Sequence, residues 1–511
     1  MSWLIPLPVV VPLVGAGLAL AISRRSRAQG IISIAALSIV LAVAVGLIFL
    51  THISGPQVVS VGGWNVPVGI GLVADRLSAL MLVVSTLVLL GVLAYSLAQG
   101  LADGNDGAPV AIYHPTYLVL AAGVSMAFLS GDLFNLFVGF EILLAASFVL
   151  LTLGGTGERI RAGSIYVVVS LLSSVLFLIA VALIYAATGT LNLAQLAERL
   201  PEVDSGVRVL LQIMLLLAFG IKAAIFPVSA WLPDSYPTAP APVTAVFAGI
   251  LTKVGVYAII RTQTLLFPDS RLDGVLVVLA IATMLIGIIG AVAQEDIKRL
   301  LSFTLVSHIG YMIFGIALAS DTGLSASIFY IVHHITVQTA LFLIAGLIER
   351  RGGTTSLEEL GSLGKAAPAL AVVFFLAAMN LAGIPPMSGF LGKMGLLQAG
   401  LQDGSALALV GVGAGLLTSL LTLYAVVKAW NKAFWQIAPG PLPRTSIPRA
   451  MFGPAAAIAS VGVVIAMIGG PLYRYTDAAA HDLRDRQPYI QSVLVHGDRG
   501  SGQSSDADGG S

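Results

Sequence analysis

Cysteine is absent from the 511 residues of this chain. Its absence excludes a disulfide framework, a Cys-ligated iron–sulfur cluster and any thiol chemistry within the chain, and leaves the compartment open. Charge is scarce too. Asp, Glu, Lys and Arg make up 10% of the residues, against about 25% in a soluble globular protein. The two signs nearly cancel, to a net +1, so no field of one sign is available to hold nucleic acid or an acidic partner. No Cys/His cluster with metal-ligand spacing and no Gly-rich phosphate loop occurs. Neither a metal nor a cofactor is therefore expected, and any coupled redox reaction belongs to another polypeptide.

What the chain has is apolar length. It is 57% hydrophobic with a mean hydropathy of +0.96, too few charges to cover a water-soluble fold of this size. Runs of about 20 apolar residues, enough to cross a bilayer, recur almost throughout. They predict an all-α polytopic membrane protein with about 14 spans. The spans lie near 3–22, 30–52, 72–99, 114–130, 132–153, 162–187, 207–229, 239–263, 272–293, 301–319, 323–348, 367–400, 405–431 and 450–470. Only Gly131-Asp132 separates the fourth from the fifth.

Arg24, Arg25 and Arg27 follow the first apolar stretch instead of preceding it, unlike a signal peptide. A retained first helix with its N-terminus outside is expected. Alternate loops then carry Lys and Arg with roughly a three-to-one bias toward the inner side, which supports the orientation and an even span count. Leu191 to Leu200 is too short and polar to span and reads as an interfacial or loop helix. Beyond about Tyr473 the composition turns polar, and a disordered tail is expected over 473–511.

Several ionisable residues fall at mid-membrane depth, where each costs about 2.5–3.5 kcal/mol. Glu141 sits about ten residues, or about 15 Å, from either end of its span. Lys253 is equally central. Lys222 precedes Ile225-Phe226-Pro227, and Lys393 follows Gly383-Ile384-Pro385-Pro386. Proline removes a helix hydrogen bond and clashes with the preceding turn, so both helices should break at Pro227 and at Pro385-Pro386. His333 and His334 lie near the middle of their span. One such charge alone leaves a paired structural group open as an alternative; this many in so uncharged a chain argue against it. Two broken spans at corresponding places in two halves point to an inverted-repeat transporter, or else to two ordinary kinked helices. His308 reads as structural, and Lys428 either snorkels to the inner interface or takes part.

The chemistry of this set suits proton movement. Burial weakens a lysine's hold on its proton, a nearby carboxylate restores it, and histidine titrates near neutral pH. A change in the distance from Glu141 to Lys222 would switch that lysine between holding and releasing a proton. Such a row is a poor match for a sugar or an apolar drug.

The stretch from Lys222 through Phe226-Pro227, Trp231-Leu232-Pro233-Asp234 and Ser235-Tyr236-Pro237-Thr238-Ala239-Pro240 to Leu251-Thr252-Lys253-Val254-Gly255 resembles the antiporter-like, proton-pumping membrane subunits. That superfamily is shared by respiratory complex I and the multisubunit Na⁺/H⁺ antiporters (Mrp, also Mnh). The Ser-Tyr-Pro-Thr-Ala-Pro-Ala-Pro-Val run and Gly131-Asp132-Leu133-Phe134-Asn135-Leu136-Phe137 before Phe140-Glu141 look most like the D-type component of Mrp. The resemblance covers essentially the whole spanning region.

It implies 14 helices, with inverted five-helix repeats over about 114–263 and 272–431. Three helices would precede them over 1–100, and one would follow over 450–470. It further implies that Glu141 and Lys222 form a modulating pair and that Lys253 is a central relay. The His333/His334 region would link the second half, and Lys393 would be the terminal proton-handling lysine. Lysine at position 393, and a tail too polar for a long lateral helix, favour the D-type over two complex I relatives.

Relatives often carry lysine one turn after the histidines. Here that place reads Gln338, so the second-half relay would lean on His334. The expected function is a non-enzymatic, proton-carrying subunit of a Na⁺/H⁺ antiporter in the cell membrane, partnered by the other antiporter subunits, with both termini outside. A subunit of a redox-driven complex I-like pump and a structural assembly subunit remain alternatives.

Overall fold

A computed structural model describes residues 2–22, 25–64, 69–99, 110–443 and 445–502. Arg24, which follows the first apolar stretch, and 503–511 of the expected tail lie outside them. The chain enters as α1 (Leu7–Ala21) and α2 (Ser26–Ser54). A short antiparallel hairpin follows, β1 (Gln57–Ser60) on β2 (Gly71–Ala74), with Val58 opposite Val73. Next come α3 (Arg76–Gln99), α4 (Val110–Leu129), α5 (Leu133–Thr152), α6 (Gly157–Thr188), α7 (Leu193–Arg199) and α8 (Ser205–Ala223). After a break lie α9 (Trp231–Ser235), α10 (Ala241–Val246), a π-helical turn (Phe247–Leu251) and α11 (Thr252–Leu265). Then follow α12 (Asp273–Val292), α13 (Ile297–Ala317), α14 (Asp321–Gly352), α15 (Leu363–Ala366), α16 (Pro368–Ala382), α17 (Ser388–Asp403) and α18 (Ala406–Trp430). The chain closes with α19 (Arg449–Met467), α20 (Gly469–Asp485) and α21 (Gln487–Gly502).

Among the described residues twelve helices are long and apolar enough to cross a bilayer, and α1 and α16 are shorter apolar helices. Each apolar run read from the sequence coincides with a helix. The run 367–400 is divided into α16 and α17, and 114–130 and 132–153 are separate helices as read. The divide is made by Asp132, whose side chain caps α5 by accepting from Asn135 N at 2.6 Å.

α10–α11, α13 and α14 form the interior and present no lipid-facing stripe. α2, α6, α8, α12 and α18 expose rows of Leu, Ile, Val and Phe on their outer sides, as a bilayer solvent requires. At the lower hydropathy of the interior helices, polar side chains are tolerated because protein, not lipid, surrounds them.

Two stretches run in parallel. α6 and α14 are each 32 residues long; Thr156 and Ser320 cap them, and Gly189 and Gly353 end them with φ of 71° and 79°. Only glycine takes that left-handed backbone cheaply. Asp132 and Asp296 cap α5 and α13, and each makes an antiparallel bridge, to Asn192 and to Ser356 respectively. The same offset along the chain relates both members of each pair.

The expected disordered tail is corrected over its first part. α20 and α21 are helices, and Thr476, Ala479, Ala480, Leu483, Tyr489, Ile490 and Val493 are buried. Their spacing of three and four residues makes one apolar face, too narrow to raise the average hydropathy to that of a span. Asp482 pairs with Arg76 at the start of α3, and Arg484 with Asp321 at the start of α14 at 2.8 Å. α20 therefore straps the ends of helices from both halves of the chain. α7 is the short non-spanning helix read from the sequence, capped by Asn192.

Candidate functional site

The first cluster stands on α5, α6 and α8. Glu141 accepts a hydrogen bond from the Ser174 hydroxyl, and Lys222 Nζ reaches Ser174 Oγ at 3.2 Å and the Ser170 carbonyl at 3.4 Å. The acid and the lysine thus meet through a serine on a third helix. Lys222 also lies over the Phe140 ring, 5.8 Å from its centre. α8 ends one residue after Lys222, at Ala223, its C-cap Ala224 has φ 60°, and Pro227 follows in the break. A cavity of ≈ 20 Å³ of space for a water's centre adjoins Lys222, Ser170, Tyr166 and Leu251, room for about one water.

Lys253 is wholly buried and donates to the Ala248 carbonyl at 2.5 Å. Ala248 lies inside the π-helical turn, where the backbone ladder departs from the regular α-helical pattern. α11 lies close against α8: a Cβ on Gly255 would stand 2.8 Å from Ala223 N. Only a residue without a side chain permits that approach, which sets α11 against the end of the helix that carries Lys222.

The second cluster stands on α13, α14 and the α16–α17 break. Lys393 Nζ donates to the last carbonyls of α16, Ala382 at 2.9 Å and Leu381 at 3.2 Å. The break frees those carbonyls, and a cation at a helix C-terminus meets the negative end of the dipole. Gly383 makes the turn at φ 88°, with Pro385 and Pro386 behind it. His333 Nδ1 is 2.9 Å from Ser388 Oγ, which in turn donates to Asn380 Oδ1 at 3.1 Å. His334 faces His308, ring centres 5.2 Å apart, and both of its ring nitrogens are buried without a hydrogen-bond partner. His308 bonds Tyr330 at 2.9 Å and packs on Tyr311, whose ring lies 5.2 Å from Lys393 Nζ.

The structure therefore brings together Glu141 with Lys222, and His333, His334 and Lys393 in one neighbourhood. It adds His308, read as structural, to the second cluster. Lys428 stands apart. It donates to the carbonyls of Val292 and Gln294 at 3.0 and 2.9 Å and pairs with Glu295 at 2.9 Å, so it caps α12 near the surface. Gln338 spends its amide on the Leu301 carbonyl at 2.7 Å. Ser174, Ser388, Asn380, Tyr311 and Tyr330 were not singled out from the sequence. Serine, asparagine and tyrosine in apolar helices carry no distinguishing spacing. Among the described residues no group of three or more His, Asp or Glu side chains is gathered as for a metal.

Fold and site together define a many-span, almost wholly helical membrane protein with two broken helices and several lysines and histidines buried in its interior helices. The chain belongs to the NADH:quinone oxidoreductase/Mrp antiporter family, whose transmembrane region it matches over residues 130–422. It is 37% identical to the D-type component of the Na⁺/H⁺ antiporter of Alkalihalophilus pseudofirmus over 97% of this chain and 100% of that one. It is 36% identical to the D-type component of the Bacillus subtilis Na⁺/H⁺ antiporter over 96% and 98%. A chain of the Mrp complex from a Dietzia species superposes with a TM-score of 0.89 at 35% identity, covering 97% of this chain and 100% of that one. A chain of respiratory complex I from Thermus thermophilus shares the fold, with a TM-score of 0.80 at 23% identity over 96% of this chain and 99% of that one.

Proposed function

We propose that this chain is the proton-translocating subunit of a multisubunit Na⁺/H⁺ antiporter, a transporter component and not an enzyme. The Glu141–Ser174–Lys222 triad carries the reading: a carboxylate and a lysine held one hydroxyl apart at mid-membrane depth, beside a helix break. A shift of α5 or α8 by about an ångström changes how strongly Glu141 supports the proton on Lys222. Protons released there pass to Lys253, then through His334, His308 and His333 to Lys393. Water bridges the steps that side chains leave open, and the unpartnered nitrogens of His334 support this. Residues 114–263 and 272–431 act as two inverted five-helix repeats. Five spans are an odd number, so the second copy enters the membrane from the opposite side; the matched caps of α5/α13 and α6/α14 support the duplication. The complex lies in the plasma membrane with both termini of this chain outside, as the loop charges favour.

The test uses inverted vesicles from a host lacking its own antiporters, with this chain and its neighbouring subunits expressed together. A pH gradient is imposed, Na⁺ is added and a pH-sensitive dye is followed. Na⁺-triggered collapse is expected, and Glu141→Ala should abolish it while the complex stays assembled. Unchanged collapse in that variant would remove the triad from the path. No collapse, but proton pumping on supply of electron donor and quinone, would place the chain in a redox-driven complex.

A further inference from the structure

The break between α16 and α17 is closed by two crossed caps. α17 begins at Ser388, and its N-cap residue Met387 offers no side-chain cap. Asn380, in the last turn of α16, takes that place: its Oδ1 accepts from Gly389 N at 2.9 Å and from Ser388 Oγ at 3.1 Å. In return Lys393 of α17 donates to the last carbonyls of α16. Each half-helix thus supplies the polar group that the other's end lacks. Closure needs glycine at 389, since a Cβ there would stand 2.0 Å from the Asn380 carbonyl oxygen and 3.0 Å from His333 Cε1. Asn380, Ser388 and His333 are all buried.

The direction of each bond follows from counting donors. A backbone N–H only donates, so the Asn380 atom that faces Gly389 N is the oxygen, and the amide is not free to turn over. An amide oxygen only accepts, so the single proton of the Ser388 hydroxyl is committed to it. What Ser388 has left is a lone pair, and it lies 2.9 Å from His333 Nδ1. Two facing lone pairs repel, so Nδ1 carries a proton and donates it. In a neutral imidazole the other nitrogen is then bare. His333 Nε2 is buried with no hydrogen-bond partner, and leaving such an acceptor unpaired costs about 1–3 kcal/mol. A group kept at that cost calls for a role, and receiving a proton is one that a bare imidazole nitrogen fills.

We propose that Asn380 is a positioning residue: through Ser388 it holds the His333 proton on Nδ1, so that His333 receives and releases transported protons at Nε2 alone. This rests on the proton-translocating reading above. On receipt an N–H bond forms at Nε2 and the ring becomes an imidazolium. On release the same bond breaks and the neutral ring returns, with nothing oxidised or reduced. The Nδ1 side is closed to transfer, because the hydroxyl beyond it ends on an amide oxygen. The tautomer is also tied to the break, since the oxygen that orients Ser388 is the one that caps α17.

The test uses the assembled complex in lipid vesicles with ¹⁵N-labelled histidine, read by solid-state NMR at about pH 8, above the ordinary histidine value of about 6.5. The His333 signals are those lost in His333→Gln, and they should show a protonated Nδ1 and a bare Nε2. In Asn380→Ala and Ser388→Ala the proton should spread over both nitrogens or settle on Nε2. Asn380→Asp, which still accepts from both donors, should keep it on Nδ1. In the vesicle assay Ser388→Ala should slow Na⁺-driven exchange roughly tenfold or more. A protonated Nε2 in the wild type, or a proton kept on Nδ1 in both alanine variants, would overturn the proposal. So would a lost tautomer with wild-type exchange while Glu141→Ala is inactive. Wild-type exchange in Glu141→Ala as well would overturn the proton-translocating reading, and the role given to His333 with it. If Asn380→Ala fails to assemble, Ser388→Ala, which removes a single buried oxygen, decides by the same two readouts.

Discussion

At the scale of single residues, what distinguishes the buried charges is how each is partnered. Glu141 and Lys222 were legible because a carboxylate and an ammonium in the middle of apolar runs are expensive enough to need a reason. Their connection was not legible, since Ser174 is one of many serines in α6 and only packing selects it. A hydrogen bond to a charged group is worth about 1.5–3 kcal/mol, so Ser174→Ala should lower exchange by about tenfold or more while leaving assembly intact. Exchange at the wild-type rate would show that Glu141 and Lys222 communicate without the hydroxyl. His308 shows the opposite limit of sequence reading. A lone histidine in an apolar helix has a bland interpretation, and it becomes part of the site only when α14 brings His334 and Tyr330 against it.

At the scale of elements, the site is made by irregularities. Pro227 and Pro385-Pro386 announced two of them, because proline's missing donor is a local property that any sequence displays. The π-helical turn before Lys253 was silent: no residue in Phe247–Leu251 forbids an α-helix. Its carbonyl at Ala248 is nonetheless what receives the lysine. The ends of elements matter equally. Hydrogen bonds from Lys428 and Lys432 hold the Glu295 carboxyl, in the α12–α13 connection, below the ordinary glutamate value near 4.5. A carboxylate depressed in the folded state stabilises fully above its unfolded pKa and loses that contribution as pH falls through the lower folded value. Thermal stability of the complex at acidic pH should therefore drop less steeply in Glu295→Gln than in the wild type, with the difference confined to below about pH 4.5. Parallel curves would show that the clamp contributes nothing measurable, as exposed pairs often do.

At the scale of the whole molecule, α20 is the strap across the halves. Its face buries Ala479, Ala480 and Leu483, its charges pair with Arg76 and Asp321, and Arg486 beyond it donates to the Leu265 carbonyl at 3.3 Å. Buried large apolar side chains contribute roughly 1.5–3 kcal/mol each. Ending the chain at Ile468 should lower the unfolding midpoint of the solubilised complex by several degrees, on the order expected for a loss of a few kcal/mol. It should also leave Arg261, which the Tyr489 ring covers, open to water. An unchanged midpoint would make α20 and α21 dispensable to the fold.

The sequence by itself determined the membrane class, the apolar spans, the two helix breaks and most of the deep charges. Each of these follows from local composition: hydropathy, proline geometry and the cost of a charge in hydrocarbon act on a residue wherever it sits. Only the tertiary structure decided which of those charges meet. The serine between Glu141 and Lys222, the entry of His308 into the second cluster, the Arg261–Asp75 ion pair and the packing of α20 depend on residues far apart in the chain. Partners are chosen by how helices pack, and in a chain so uniformly apolar many packings share one hydropathy pattern. The close approaches at glycine, and the few polar groups that must satisfy one another, select among them.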